Sequence, residues 1–112
     1  MKAEELRIGN YVKCVDGNTI CIDKDDMIYI LSNTFDVEPI PLSEEVLLKS
    51  GATVDGIEYI IKASALPIKI RFHSGIAYCE VGNVYLGDRI KYLHELQNLK
   101  YVLCGVELEV LL

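Results

Sequence analysis

A chain of 112 residues carries 51% hydrophobic and 25% charged residues, with 17 Asp plus Glu against 11 Lys plus Arg and a formal charge of −6. That length suits one domain burying roughly two-thirds of its unfolded surface, and the apolar content excludes a disordered chain. The negative charge sets phosphate backbones at a long-range disadvantage, and no apolar run is long enough to span a bilayer.

Taken in order, Asp16-Gly17-Asn18 between Tyr11–Val15 and Thr19–Ile22 predicts a β-hairpin, because Gly and Asn reach the positive φ that tight turns demand. Met27–Leu31 reads as a further strand, with Asp23-Lys24-Asp25-Asp26 as the solvated turn before it. That acidic run lacks the following glycine and the distant glutamate of a calcium loop. Val37–Ile40 is expected to be extended, since Pro39 and Pro41 push their predecessors away from helix. Ser43 then offers an N-cap, Glu44 and Glu45 suit the helix dipole, Val46, Leu47 and Leu48 supply a buried side, and Gly51 can end a helix of about two turns.

Asp55-Gly56 separates Thr53-Val54 from Ile57–Lys62 as a second hairpin. In Leu66–Phe72, Leu66, Ile68, Ile70 and Phe72 alternate with Lys69 and Arg71, the period of a half-buried strand. His73-Ser74-Gly75 reads as a three-residue turn into Ile76–Val81, and Gly82-Asn83 leads on to Val84–Leu86. From Asp88 to Cys104 the period becomes helical. Tyr92, Leu96, Leu99 and Leu103 form one stripe, with His94, Gln97, Asn98 and Tyr101 near the opposite side. Asp88 could cap that helix and Gly105 follows it; Glu107–Leu112 alternates as a last strand.

The expected fold is α+β: a hairpin-rich antiparallel sheet with a small N-terminal SH3-like or meander β unit, one short helix, a C-terminal amphipathic helix and a final strand. Residues 1–112 read as a single domain, with any subdivision falling between a small β unit (1–41) and an α+β unit (42–112).

Three segments, Glu5-Leu6-Arg7-Ile8-Gly9-Asn10-Tyr11-Val12, Glu38-Pro39-Ile40-Pro41-Leu42-Ser43-Glu44-Glu45 and Tyr92-Leu93-His94-Glu95-Leu96-Gln97-Asn98-Leu99, occur in this order across nearly the whole chain. In these motifs the chain resembles a family of small uncharacterised proteins encoded in bacteriophages and prophages of gut bacteria. Departures lie mainly between Ala52 and Leu86 and at Cys104. The resemblance implies a phage-derived or mobile-element origin and a cytoplasmic setting. It implies no activity.

The residues themselves offer little chemistry. Cys14, Cys21, Cys79 and Cys104 have no C-x-x-C spacing, and the start Met-Lys-Ala-Glu-Glu lacks the apolar stretch of a leader. Reduced cysteines serving as small core hydrophobes are expected, with no metal and no cofactor. His94, Gln97, Asn98 and Tyr101 form the candidate interaction surface, against the blander reading of a solvated helix face. His94 has no nucleophile in local reach, and His73 sits in a turn, so no catalytic residue is assigned and the protein is read as a non-enzyme.

Lys69 and Arg71, with Lys62, are the candidate nucleic-acid face; Tyr78 adds an aromatic ring, while Tyr59 alternates with the core side. The expected function is a cytoplasmic accessory module that binds a protein partner or, as a homodimer, itself. Nucleic acid is disfavoured by charge and no membrane association is expected. The alternatives are a nucleic-acid-binding module and an enzyme whose pocket is assembled from distant residues.

Overall fold

The computed structural model describes residues 5–112 and has the expected α+β architecture. The first four residues, which bear on the reading of the leader, lie outside the described residues. β1 (Tyr11–Cys14) and β2 (Thr19–Cys21) form the first hairpin, in the register Tyr11↔Cys21, Val12↔Ile20 and Lys13↔Thr19. The turn is held by Asp16, whose carboxylate accepts from the Asn18 backbone and side-chain amides at 3.0 Å each.

The strand expected at Met27–Leu31 is instead part of a helix, α1 (Lys24–Leu31). The acidic run before it is the start of that helix. Asp23 is the N-cap: its carboxylate accepts the Asp26 N–H at 2.8 Å, and the Asp26 carboxylate accepts the Asp23 N–H at 3.1 Å. This reciprocal box satisfies orphan donors of the first turn, and Asp25 and Asp26 complement the dipole there. A five-residue apolar run has no decisive period, so the cap decides its conformation.

From α1 the chain returns as β3 (Val37–Glu38), which pairs antiparallel with β1 through Lys13↔Glu38 and Cys14↔Val37. The order β2-β1-β3 corrects the expectation of a meander, because α1 carries the chain across to the far edge of β1. Leu6, Val12, Ile22, Ile30 and Val37 make the core of this small unit.

α2 (Glu44–Lys49) is the expected short helix. Ser43 Oγ accepts the Val46 N–H at 3.2 Å, Val46 and Leu47 are buried, and Lys49 pairs with Glu45 at 2.8 Å. A five-stranded antiparallel meander follows in sequential order: β4 (Thr53–Asp55), β5 (Glu58–Ala63), β6 (Leu66–His73), β7 (Ile76–Val81) and β8 (Val84–Gly87). Its inner face presents Ile61, Ala63, Ile68, Ile70, Cys79 and Val81 to a second core with Leu47, Leu93 and Leu96. His73 pairs directly with Ile76, so the β6–β7 loop has two residues and not three. Ser74 and Gly75 both have positive φ there, 52° and 78°, the condition for the tight hairpin turn that matches strand twist.

α3 (Leu93–Cys104) begins five residues after Asp88. Residues 91–93 are held extended against 40–42: Leu42 N–H donates to Lys91 C=O (3.0 Å), and Leu93 N–H donates to Ile40 C=O (2.8 Å). Glu95, rather than Asp88, closes the helix start by accepting the Lys91 and Tyr92 N–H groups at 2.9 and 3.0 Å. Gly105, with φ of 70°, ends it.

Among the described residues, the final strand expected at Glu107–Leu112 joins no sheet. Leu108 and Val110 are buried as the alternation requires, and one backbone bond, Leu111 N–H to Lys49 C=O at 2.8 Å, ties the segment down. The side-chain pattern was a true guide to burial and carried no information about a ladder partner.

The capping box gives a direct check on the revised first helix. Asp23→Ala is expected to destabilise the protein by about 1 kcal/mol in urea unfolding, with the loss of helical signal confined to one helix.

Candidate functional site

The small unit and the α3 helix meet along a polar seam, built from Arg7 to Tyr11 on one side and from Gln97 to Tyr101 on the other. Gln97 is 1% exposed, and its carboxamide pairs with backbone twice. Its Oε1 accepts the Tyr11 N–H at 2.8 Å, and its Nε2 donates to Gly9 C=O at 3.0 Å. Asn98 Oδ1 accepts from both Asn10 Nδ2 (2.8 Å) and Arg7 Nε (3.0 Å), while Asn10 Oδ1 accepts the Arg7 N–H at 2.7 Å. Asn10 is fully buried.

Arg7 organises the rim of the seam. Both of its terminal nitrogens reach the Glu107 carboxylate, one of them at 3.0 Å, and its guanidinium carbon lies 4.5 Å from the centre of the Tyr101 ring. The Glu107 carboxylate holds the Arg7 pKa above its ordinary value, against a smaller opposing effect of burial. This is a bidentate pair with a cation–π contact on its flank.

The four residues expected on a solvated strip of α3 are therefore spent inside the molecule to different degrees. His94 and Gln97 are buried, Asn98 is half-buried and Tyr101 alone is exposed. His94 is 3% exposed, stacks on Tyr92 with ring centres 5.9 Å apart, and leaves Nδ1 without a hydrogen-bond partner. Burial holds its pKa below the ordinary 6.5, while the charges of Glu95 and Glu5 pull the other way. Arg7, Asn10 and Glu107 escaped the sequence reading, because Arg7 and Glu107 lie 100 positions apart and a buried amide in a loop has no periodic signal.

Lys69 and Arg71 lie side by side in space on the outer face of the five-stranded sheet, with Glu80 directly opposite Lys69 and Tyr78 directly opposite Arg71. Glu58, Glu80 and Tyr85 share a small hollow of about 60 Å³ with them, so the cations are interspersed with carboxylates. Lys62 stands on β5 opposite Pro67, away from that hollow. Tyr59 faces the core side and meets Phe72 edge-on at 5.9 Å.

Among the described residues no cluster of three His, Cys, Asp or Glu side chains could hold a metal ion. All four cysteines are free, and burial pushes the Cys79 thiol up to about 11, so it carries its proton at neutral pH. No described helix is long and apolar enough to cross a membrane. No protein-family model, curated protein or solved structure matches the chain.

Two measurements bear on the seam. Gln97→Ala removes the partner of the half-buried Tyr11 N–H and one of the two donors to the Gly9 C=O, and is expected to cost about 2 kcal/mol in urea unfolding, whereas Glu107→Gln, at the exposed rim, is expected to cost under about 1 kcal/mol. The second concerns pH. His94 titrates lower in the folded chain than in the unfolded one, so the unfolded chain binds the extra proton first. Stability is then complete above pH 6.5 and falls as the pH drops through and below that value, and His94→Phe is expected to flatten this slope in a pH series of thermal melts.

Proposed function

We propose that the chain is a non-enzymatic accessory protein of the phage or prophage kind, acting by binding another protein or a second copy of itself. The origin rests on the three motifs. They converge: residues 7–11 meet 97–98 along the seam, and residues 40–42 meet 91–93 in the short extended pairing.

The observation that carries the binding reading is the outer side of α1. Ile28, Tyr29 and Leu31 are 60%, 56% and 64% exposed, and within the helix only Ile30 is buried. Ile28 and Leu31 lie three apart and so share a face. Contiguous apolar side chains turned outward on an ordered, capped helix are a recurrent mark of an interaction surface. The non-enzymatic part is supported by the burial of two reactive groups, His94 and Cys79, away from any substrate.

Light scattering on the full chain, alone and with host and phage lysate fractions, tests this reading. Assembly or retention of a partner is expected, and Ile28→Lys with Leu31→Lys should abolish it while the thermal melt stays unchanged. A strict monomer that retains nothing would overturn the proposal.

A further inference from the structure

Arg7 and Arg71 make opposite use of the same side chain. Arg7 has its donors taken up by a carboxylate, an amide and backbone carbonyls. Among the described residues Arg71 has no hydrogen bond or ion pair from its side chain, and the same holds for His73, Tyr78 and Tyr85. These four line one cavity of about 350 Å³ at the outer face and rim of the five-stranded sheet, with Ile57 and the core-side Phe72 completing its wall.

The topology explains the convergence. Arg71 and Tyr78 are cross-strand partners, and Tyr85 stands opposite Glu80, two residues from Tyr78 on the same face of β7. His73 follows Arg71 on its own face, at the last pair before the Ser74-Gly75 turn. Glu58 and Glu80 line the neighbouring hollow with Lys69 but do not line this cavity. In a chain of net charge −6, this cavity has a guanidinium and an imidazole in its wall and, among the described residues, no carboxylate, while Arg71, Tyr78 and Tyr85 also border the hollow that holds Glu58 and Glu80.

We propose that this cavity is a binding site for a nucleoside monophosphate, either free or as the terminal residue of a single strand. The planar fork of Arg71 suits a phosphate, with His73 as a second donor, and the Tyr78 and Tyr85 rings offer stacking surface to a base. The cavity is at the lower end of the size range of ligand pockets, a size that suits one nucleotide. The site lies on the opposite sheet from the α1 surface and does not depend on the protein-binding reading.

The test is an amide NMR titration of the full chain at low salt with the four ribonucleoside 5′-monophosphates, the parent nucleosides, inorganic phosphate and a short single-stranded oligonucleotide. Monophosphates are expected to shift the signals of residues 71–73, 78 and 85, with nucleosides and phosphate alone binding about tenfold more weakly or worse. Arg71→Gln and Tyr85→Ala, both at exposed positions, are each expected to weaken monophosphate binding about tenfold without changing the melting temperature. Tighter binding of the oligonucleotide at the same residues would identify a strand end as the source, and equal binding would identify the free nucleotide. The proposal is overturned if none of these probes shifts those signals, or if both variants bind as the parent does.

Discussion

The carboxamide of Gln97 does the work of a neighbouring strand. Gly9, in the turn that leads into β1, offers its C=O to Gln97 while Tyr11, at the start of β1, offers its N–H, and the one carboxamide takes both, as the backbone of a neighbouring strand would. Here a single side chain from α3 supplies both partners. The arrangement lets a helix end the small sheet without leaving buried backbone unpaired, and it fixes the position of β1 against α3 along the chain direction. Asn98 repeats the device one residue on, using Asn10 and Arg7. Two hydrophobic cores that share few side chains are thereby joined through groups whose geometry is directional, where apolar packing alone would tolerate sliding.

This construction explains which parts of the fold were legible. The hairpins at Gly17, Gly56 and Gly82, the β6–β7 pair and the Ser43-capped helix follow from turn chemistry and period two, and all lie where local rules suffice. The first helix was misread because Met27–Leu31 satisfies a strand by composition; the decisive signal was the reciprocal spacing of Asp23 and Asp26, four letters read as a solvated turn. Tertiary context moved the start of α3, since 91–93 are pinned against 40–42 before the helix can begin.

The polar strip of α3 was located correctly as a set of neighbours and given the wrong environment. A helix contacting both β1 and β5 has more than one buried side, and an apolar stripe identifies only one of them. A distinguishing sign was present in the residue types. Three successive strip positions are His94, Gln97 and Asn98, all neutral side chains able to donate and accept, whereas the charged residues of that helix, Glu95 and Lys100, lie elsewhere. Uncharged amides on a helix face fit a hydrogen-bonded interior better than a solvated surface, for burial of an amide costs little once its partners are in place.

The same reasoning separates used surface from unused surface. Wherever this molecule buries a polar group along the seam, it supplies a partner within the chain, and His94 Nδ1 is the one fully buried side-chain polar atom left without a partner among the described residues. Apolar groups do not follow that economy: Ile28, Tyr29 and Leu31 stand outward on a helix whose start is closed by a full capping box. An ordered helix with much of its apolar surface to solvent is held to its own unit by the burial of Ile30 and the half-burial of Met27, and its cap adds to that. Asp25 and Asp26 sit in its first turn beside that apolar side. On the protein-binding proposal, such a surface would suit a partner that is apolar at its centre and basic at its edge, because opposite charge at the rim steers approach while apolar burial supplies most of the affinity.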